Sequence, residues 1–154
     1  MNSSKRSSEE DLKVIVDTNI IFSAIIYPDG KENALFQLAD EGKLKIVICD
    51  YVIDEAKAIL ERKGINPVLF VDFLDTFRNL YIEDIGDLNE EEIELAIDTI
   101  SDEKDRPIFI FAYRLIQSGE NIYLITGDSD LRTKKVNKEL KNRSITTGEL
   151  LSLL

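Results

Sequence analysis

Short apolar runs alternate along the chain with longer stretches in which apolar residues recur every three or four positions. The clearest runs cover residues 14–16, 45–49 and 122–126 and consist mainly of β-branched and large aliphatic residues. A continuous run of this length is typical of a strand buried on both faces of a parallel sheet. Residues 80–82, which charges flank, predict a short edge strand, and residues 144–147 predict a brief fifth strand.

Helical periodicity fills the segments between these runs. It predicts helices over residues 20–27, 33–42, 50–63, 66–78, 89–100, 105–116 and 149–154. Asp50 and Asn89 suit N-terminal caps, and glycines follow several of the predicted helices, as in common C-terminal caps. The alternation of strands and helices predicts one domain, residues 11–154, built as a three-layer α/β/α sandwich with a central parallel sheet. Residues 1–10 predict a disordered polar tail.

Carboxylates follow directly after two of the predicted strands. Asp17 ends the first strand, and Thr126-Gly-Asp128-Ser-Asp130 follows the fourth. In open α/β sheets ligands bind in the crevice outside the carboxyl ends of the strands, so both positions are candidate site positions. Each also has a structural explanation: Asp17 can cap the helix that follows it, and Asp-Ser-Asp is ordinary turn chemistry.

The composition restricts the chemistry that the chain can perform. It has no His and one Cys, which excludes a His-dependent triad and the usual nitrogen and sulfur ligands of zinc. Thirty Asp and Glu residues against 19 Lys and Arg residues favour a hard cation such as Mg²⁺ or Mn²⁺ if a metal is bound. Cys49 lies in an apolar run, which predicts a buried and unreactive thiol.

The charge is unevenly distributed. Residues 83–103 contain ten acidic residues and no basic one, so they account for nearly the whole net charge of −11. Six basic residues follow the Thr126–Asp130 motif and form either a solvated face or a phosphate-binding surface. They are Arg132, Lys134, Lys135, Lys138, Lys141 and Arg143.

The helix predicted after the second strand carries two neighbouring acidic residues with different orientations. At about 100° per residue, its apolar residues gather on one face. Asp54 points nearly opposite that face, whereas Glu55 lies at its edge, near the helix start. We therefore expect Asp54 to be solvated and Glu55 either to turn toward the top of the sheet or to snorkel at the boundary.

These acidic motifs, taken together and in order, resemble the signature of PIN-domain nucleases. The similarity extends from Lys13 to about Leu151, with Ala112 placed seven residues after Asp105. Asp102 offers a competing third carboxylate, and Asp105 is preferred because Ala112 fixes the register. The residues that match the four acidic positions of the family are Asp17, Glu55, Asp105 and Asp128, and Asp130 matches a frequent fifth; Asn19 and Thr126 match supporting polar positions.

The resemblance implies a sheet of strand order 3-2-1-4-5 and a carboxylate cluster that binds Mg²⁺ or Mn²⁺ and hydrolyses single-stranded RNA. It implies Asp17, Glu55, Asp105 and Asp128 as catalytic residues and these four with Asp130 as metal ligands. A toxin of a toxin-antitoxin pair, with a basic antitoxin or another protein as partner, and a homodimer are further expectations. The RNA-binding candidates are Arg132, Lys134, Lys135 and Lys138.

Two other classes of protein remain open on the sequence. One is a catalytically silent PIN-like module that binds RNA or a partner. The other is a phosphoryl-transfer domain of receiver or haloacid-dehalogenase type, although that second type places Asp where this chain has Asn19. No apolar run approaches the roughly 20 residues of a membrane span, and a cytoplasmic protein without membrane contact is expected.

Overall fold

One parallel sheet of five strands forms the centre of the described part of the chain. The computed structural model describes residues 11–154, and the predicted polar tail, residues 1–10, lies outside the described residues. The strands follow the order β3-β2-β1-β4-β5, which confirms the order implied by the resemblance. They are β1 (Lys13–Val16), β2 (Lys45–Cys49), β3 (Leu80–Glu83), β4 (Ile122–Ile125) and β5 (Ser144–Ile145).

Helices cover the sheet and give the predicted α/β/α architecture. In chain order they are α1 (Thr18–Ile26), α2 (Lys31–Asp40), α3 (Asp50–Arg62), α4 (Val68–Asp75), α5 (Glu90–Thr99), α6 (Arg106–Gln117), α7 (Lys134–Glu139) and α8 (Thr147–Ser152). Two 3₁₀ turns, Glu103–Asp105 and Ser129–Leu131, precede α6 and α7. Within residues 11–154 no helix is both long and apolar enough to cross a membrane.

Several predicted helix boundaries were wrong by one to three residues. The helix predicted over residues 66–78 begins at Val68 and ends at Asp75, and the left-handed Asn79, with φ +61°, lies beyond both the predicted and the observed end. Asp105 closes a 3₁₀ turn, and the apolar helix begins one residue later, with Pro in its first turn, where an amide hydrogen has no partner to lose.

The prediction of Asp50 as an N-terminal cap was also wrong, because Asp50 is the first residue of α3 and Cys49 holds the cap position. One carboxylate oxygen of Asp50 accepts hydrogen bonds from the backbone amides of Tyr51, at 2.9 Å, and Ile85, at 3.1 Å. Asp50 therefore fastens the start of α3 to the loop that follows β3.

The register of the central strands determines which side chains meet at the carboxyl edge of the sheet. Val16 of β1 lies opposite Ile125 of β4, so Asp17 and Thr126 each come one residue after paired positions. Parallel strands end at the same edge of a sheet, and these two residues are therefore neighbours although they are 109 positions apart.

The core confirms the apolar pattern of the sequence. All of Val14, Ile15 and Val16 are fully buried, as expected for a central parallel strand. Cys49 is a buried free thiol, and burial raises its pKa to about 12, so the prediction of a buried thiol is confirmed.

Candidate active site

Asp17 is a buried carboxylate at the carboxyl end of β1, and both of its oxygens have partners. One oxygen accepts a hydrogen bond from the amide of Ile20 at 3.0 Å, which caps α1. The other accepts a hydrogen bond from the hydroxyl of Thr126. Burial raises the pKa of Asp17, and the negative charges of Asp128 and Glu55 raise it further, while the two hydrogen bonds oppose the shift.

Thr126 and Asp128 form the part of the site that follows β4. The fully buried Thr126 hydroxyl accepts a hydrogen bond from the Asp128 amide at 3.0 Å while it donates to Asp17. One carboxylate oxygen of Asp128 in turn accepts a hydrogen bond from the Asp130 amide at 2.9 Å. A single threonine thus connects the residue after β1 with the turn after β4, and the turn places the Asp128 carboxylate at the crevice.

Glu55 reaches the crevice from the first half of α3. Its carboxylate accepts a hydrogen bond of 2.5 Å from the hydroxyl of Thr18, a buried residue that directly follows Asp17. Asp54 is exposed on the solvent side of the same helix. The helical angles therefore predicted the orientations of both residues, and Glu55 turns toward the top of the sheet.

Asp105 contributes the fourth carboxylate, from the turn that precedes α6. Its side chain is half-buried, and burial together with the negative charges of Asp128 and Asp102 raises its pKa to about 7. Glu55 adds a smaller repulsion of the same sign. Asp102 is exposed, and its carboxylate accepts a hydrogen bond from the amide of Lys104, so it caps the 3₁₀ turn.

The four carboxylates share one crevice. The pKa of Asp17 responds to Asp128 and Glu55, and the pKa of Asp105 responds to Asp128 and Glu55 as well. Four segments that are remote in sequence therefore bring negative charge to one edge of the sheet, where the charges repel each other.

Comparison with known proteins gives the family of the chain. A family model described as a PIN domain matches residues 13–130, which include all of the acidic motifs. The chain belongs to the PIN-domain family. Members of this family are in general nucleases. Comparison with curated proteins finds no match for this PIN domain.

A solved structure has the same fold. It is the crystal structure of VapBC2 from Rickettsia felis bound to a DNA fragment from their promoter, with a TM-score of 0.57 and 18% sequence identity. The alignment covers 86% of this PIN domain and 96% of the other chain. At this identity the similarity is one of fold.

The carboxylate oxygens of the crevice are of the ligand type that binds a hard divalent cation. In this structure, however, they are not arranged around one common point. Oxygen donors are what Mg²⁺ and Mn²⁺ prefer, and a cation would relieve the repulsion among the carboxylates. Within residues 11–154 no three acidic or cysteine side chains already form a metal-binding group. Asp17 and Glu55 direct oxygens at threonine hydroxyls, and the Asp128 carboxylate accepts from its own turn. A cation held by these carboxylates would therefore require some of these oxygens to exchange their present hydrogen bonds for metal contacts.

Two of the residues that the resemblance placed at the site lie at its margin. Asn19 is exposed, and its side chain makes no hydrogen bond with any residue of the described chain. Asp130 is exposed as well, and only its amide contacts the Asp128 carboxylate. Their functional roles remain predictions.

Sequence reasoning missed two residues that contact the site, Thr18 and Tyr51. Thr18 positions Glu55, and Tyr51 precedes Glu55 by four residues on the same side of α3. Burial raises the pKa of Tyr51, and the charges of Glu55 and Asp105 raise it further. The spacing of four residues was a signal that could have identified Tyr51, whereas nothing in the sequence indicates that Thr18 faces α3.

The structure divides the basic cluster between two ends of the sheet. Lys134 and Lys135 are exposed at the start of α7, six residues beyond Asp128. Arg143 lies at the opposite edge, where its guanidinium stacks 4.6 Å above the centre of the Tyr123 ring and donates to the carbonyl of Ile122.

Arg132 is half-buried and donates to the carbonyl of Gly127 at 3.4 Å, so part of its charge has a structural role.

Proposed function

We propose that this PIN domain is a divalent-metal-dependent endoribonuclease that hydrolyses phosphodiester bonds of single-stranded RNA. The observation that carries the proposal is the meeting of Asp17, Glu55, Asp105 and Asp128 in one crevice of a protein whose family consists generally of nucleases. A protein that only binds RNA gains nothing from four mutually repelling carboxylates, because they also repel phosphate.

In this proposal Mg²⁺ or Mn²⁺ is held by the four carboxylates, with Asp130 at the margin. When bound, such a cation would supply activation of a water molecule and neutralisation of charge on the scissile phosphate, in a chain that has no His to act as a base. The chain itself fixes the ligands: Thr126 orients Asp17, and Thr18 orients Glu55. The Asp105 carboxyl, which lies against Asp128, holds a proton up to about neutral pH.

The exposed lysines at the start of α7 support an RNA track on one side of the crevice. Lys134, Lys135 and Lys138 project from the helix that follows the Asp128 turn, and each supplies a positive charge for the phosphate backbone. Arg132 takes part from the turn itself.

A basic protein partner, of the antitoxin type, is the second part of the proposal. The acidic segment 83–103 has the charge that attracts such a partner, and α5 within it leaves Ile93 and Ile97 exposed among its carboxylates. The similarity in fold to a chain of the VapBC2 complex agrees with this role.

The test is cleavage of a labelled single-stranded RNA with Mn²⁺, with and without chelator. We expect metal-dependent cleavage by the wild-type protein and loss of cleavage in Asp17→Asn, while the exposed Asp72→Asn serves as the matched control. Millimolar Mn²⁺ should also raise the melting temperature of the wild type, by about 5–10 °C at 100 times the dissociation constant, because an ion bound only by the folded state stabilises it. If the protein binds RNA but does not cleave it, and if Mn²⁺ does not raise its melting temperature, the catalytically silent RNA-binding module is favoured instead.

A further inference from the structure

A second groove opens from the acidic crevice along α3. It has a volume of about 330 Å³ and shares Glu55 with the crevice. Residues of one helical stripe line it, at spacings of three, four, seven, eight and eleven positions from Tyr51, as one face of a helix requires. The lining residues are Tyr51, Asp54, Glu55, Ala58, Ile59 and Arg62 of α3 and Lys104 of the 3₁₀ turn that precedes α6.

Tyr51 lies where the groove meets the crevice. Part of the side chain packs against the hydrophobic core, and the rest lines the groove, so the position of the ring is fixed by packing. A fixed aromatic ring beside a site of phosphodiester cleavage is a platform on which a base can stack, and such stacking does not depend on sequence.

Two cations, Arg62 and Lys104, line the groove. Lys104 and Arg62 are exposed, and neither forms an ion pair with another residue of the described chain. By contrast, Arg106 donates a hydrogen bond to the carbonyl of Ile100, and Arg114 forms an ion pair with Glu92, so these two arginines already have partners within the fold.

Arg62 lies seven residues beyond Glu55, or about 10 Å along the helix. The carboxylate of Asp54, which also lines the groove, is a negative charge that opposes phosphate binding there.

We propose that this groove binds a nucleotide of the single-stranded RNA next to the cleaved bond, with its base against Tyr51 and its backbone phosphates beside Lys104 and Arg62. The inference rests on the proposed function and adds a second binding track to it. The groove lies on α3, after β2, whereas the lysines of α7 follow β4, and β1 with Asp17 lies between them. An RNA strand held on both sides therefore passes over the carboxylates.

The first test measures RNA binding in chelator by fluorescence anisotropy of a labelled RNA of about eight nucleotides. Tyr51→Leu keeps an apolar side chain but removes the ring, and we expect its affinity to fall roughly 5- to 100-fold. Tyr51→Phe retains the stacking surface and should bind like the wild type. Tyr27→Leu, which changes an exposed tyrosine at the end of α1, is the matched control and should have no effect. The chain has no Trp, so quenching of tyrosine fluorescence by RNA gives a second readout, which Tyr51→Leu should reduce.

The second test changes only exposed cations and so does not depend on the folding of a core variant. The double variant Lys104→Ala with Arg62→Ala should lower the slope of log affinity against log salt by about 1.4, because each contact with a single strand contributes about 0.7. Lys57→Ala, on another side of α3, should leave the slope unchanged. In Mn²⁺ the double variant should raise KM for RNA with little change in kcat.

The outcomes separate this inference from the proposed function. If the wild type cleaves RNA and both Tyr51→Leu and the double variant bind and cleave like it, the groove is not a nucleotide site and the proposed nuclease stands. If the wild type neither binds nor cleaves single-stranded RNA, the proposed function fails and the inference fails with it. Loss of affinity in Tyr51→Leu with retention in Tyr51→Phe supports the stacking site.

Discussion

The buried hydroxyl of Thr126 donates a hydrogen bond to the carboxylate of Asp17 across two neighbouring parallel strands. The same oxygen accepts from the Asp128 amide, so one side chain connects two carboxylates of the crevice. It also opposes the increase in the pKa of Asp17 that burial causes. Thr126 therefore helps to keep Asp17 ionised, which is the state that a metal ligand needs.

Replacement of Thr126 by Val should both destabilise the protein and weaken metal binding. The variant leaves the buried Asp17 carboxylate without its hydroxyl donor and the part-buried Asp128 amide without its acceptor, which costs about 1–3 kcal/mol, or roughly 3–10 °C in melting temperature. The pKa of Asp17 should increase further, and the stabilisation by Mn²⁺ should decrease. Thr126→Ser retains the hydroxyl and should restore most of both properties in the same melting experiments. Equal behaviour of the Val and Ser variants would show that the hydroxyl is unimportant.

The pair Asp54 and Glu55 allows a matched test of the role of α3. Glu55→Gln removes a carboxylate that faces the crevice, and we expect RNA cleavage to fall roughly 10²-fold or more. Asp54→Asn removes the same charge from the exposed side of the helix and should leave kcat nearly unchanged. Initial rates in Mn²⁺ measure the difference. Similar losses in the two variants would mean that only the total charge of the helix matters.

The raised pKa of Asp105 predicts how stability depends on pH in the metal-free protein. The pKa is about 7 in the folded protein and 3.8 for an ordinary Asp, so between these values the folded state holds a proton that the unfolded state has released. The free energy of unfolding should therefore decrease as the pH rises through this window to about 7. Asp105→Asn stays neutral and should make the melting temperature less dependent on pH between about 5 and 8.

The same proton competes with the metal ion. Binding of a cation requires ionised carboxylates and so releases the proton from Asp105. The increase in melting temperature caused by Mn²⁺ should then be larger at about pH 8 than at about pH 6 for the wild type. If Mn²⁺ raises the melting temperature by the same amount at both pH values, Asp105 does not lose a proton on metal binding.

Charge reversal at the start of α7 separates RNA binding from metal binding. Lys134→Glu with Lys135→Glu should weaken RNA binding and flatten its salt dependence, because each phosphate contact contributes about 0.7 to the slope. The stabilisation by Mn²⁺ should be nearly unchanged, since neither lysine touches a carboxylate of the crevice. Lys141→Glu, in the turn that leads to β5 at the opposite edge of the sheet, is the control. The measurement is an RNA titration at several salt concentrations. If the double variant and the wild type bind alike at all of them, these lysines form only a solvated surface.

The sequence by itself determined the features that depend on local periodicity. Apolar runs identified all five strands, and the position of Asp17 after a buried strand placed it at the carboxyl edge of the sheet. The angle of about 100° per residue separated Glu55 from Asp54, because helix geometry fixes the direction of each side chain. Periodicity placed the helix ends only to within one to three residues, as α4 and α6 show, because a 3₁₀ turn or a loop next to a helix can carry the same apolar spacing.

Only the tertiary structure decided the electrostatics and the contacts of the crevice. The pKa of Asp105 depends on burial and on Asp128, which lies 23 positions away in the chain and reaches it through the packing of α6 against β4. The contact between Thr18 and Glu55 and the separation of Arg143 from Lys134 depend likewise on which elements become neighbours. Desolvation and charge repulsion act through space, so a pattern read along the chain shows which residues are available but not how strongly they interact.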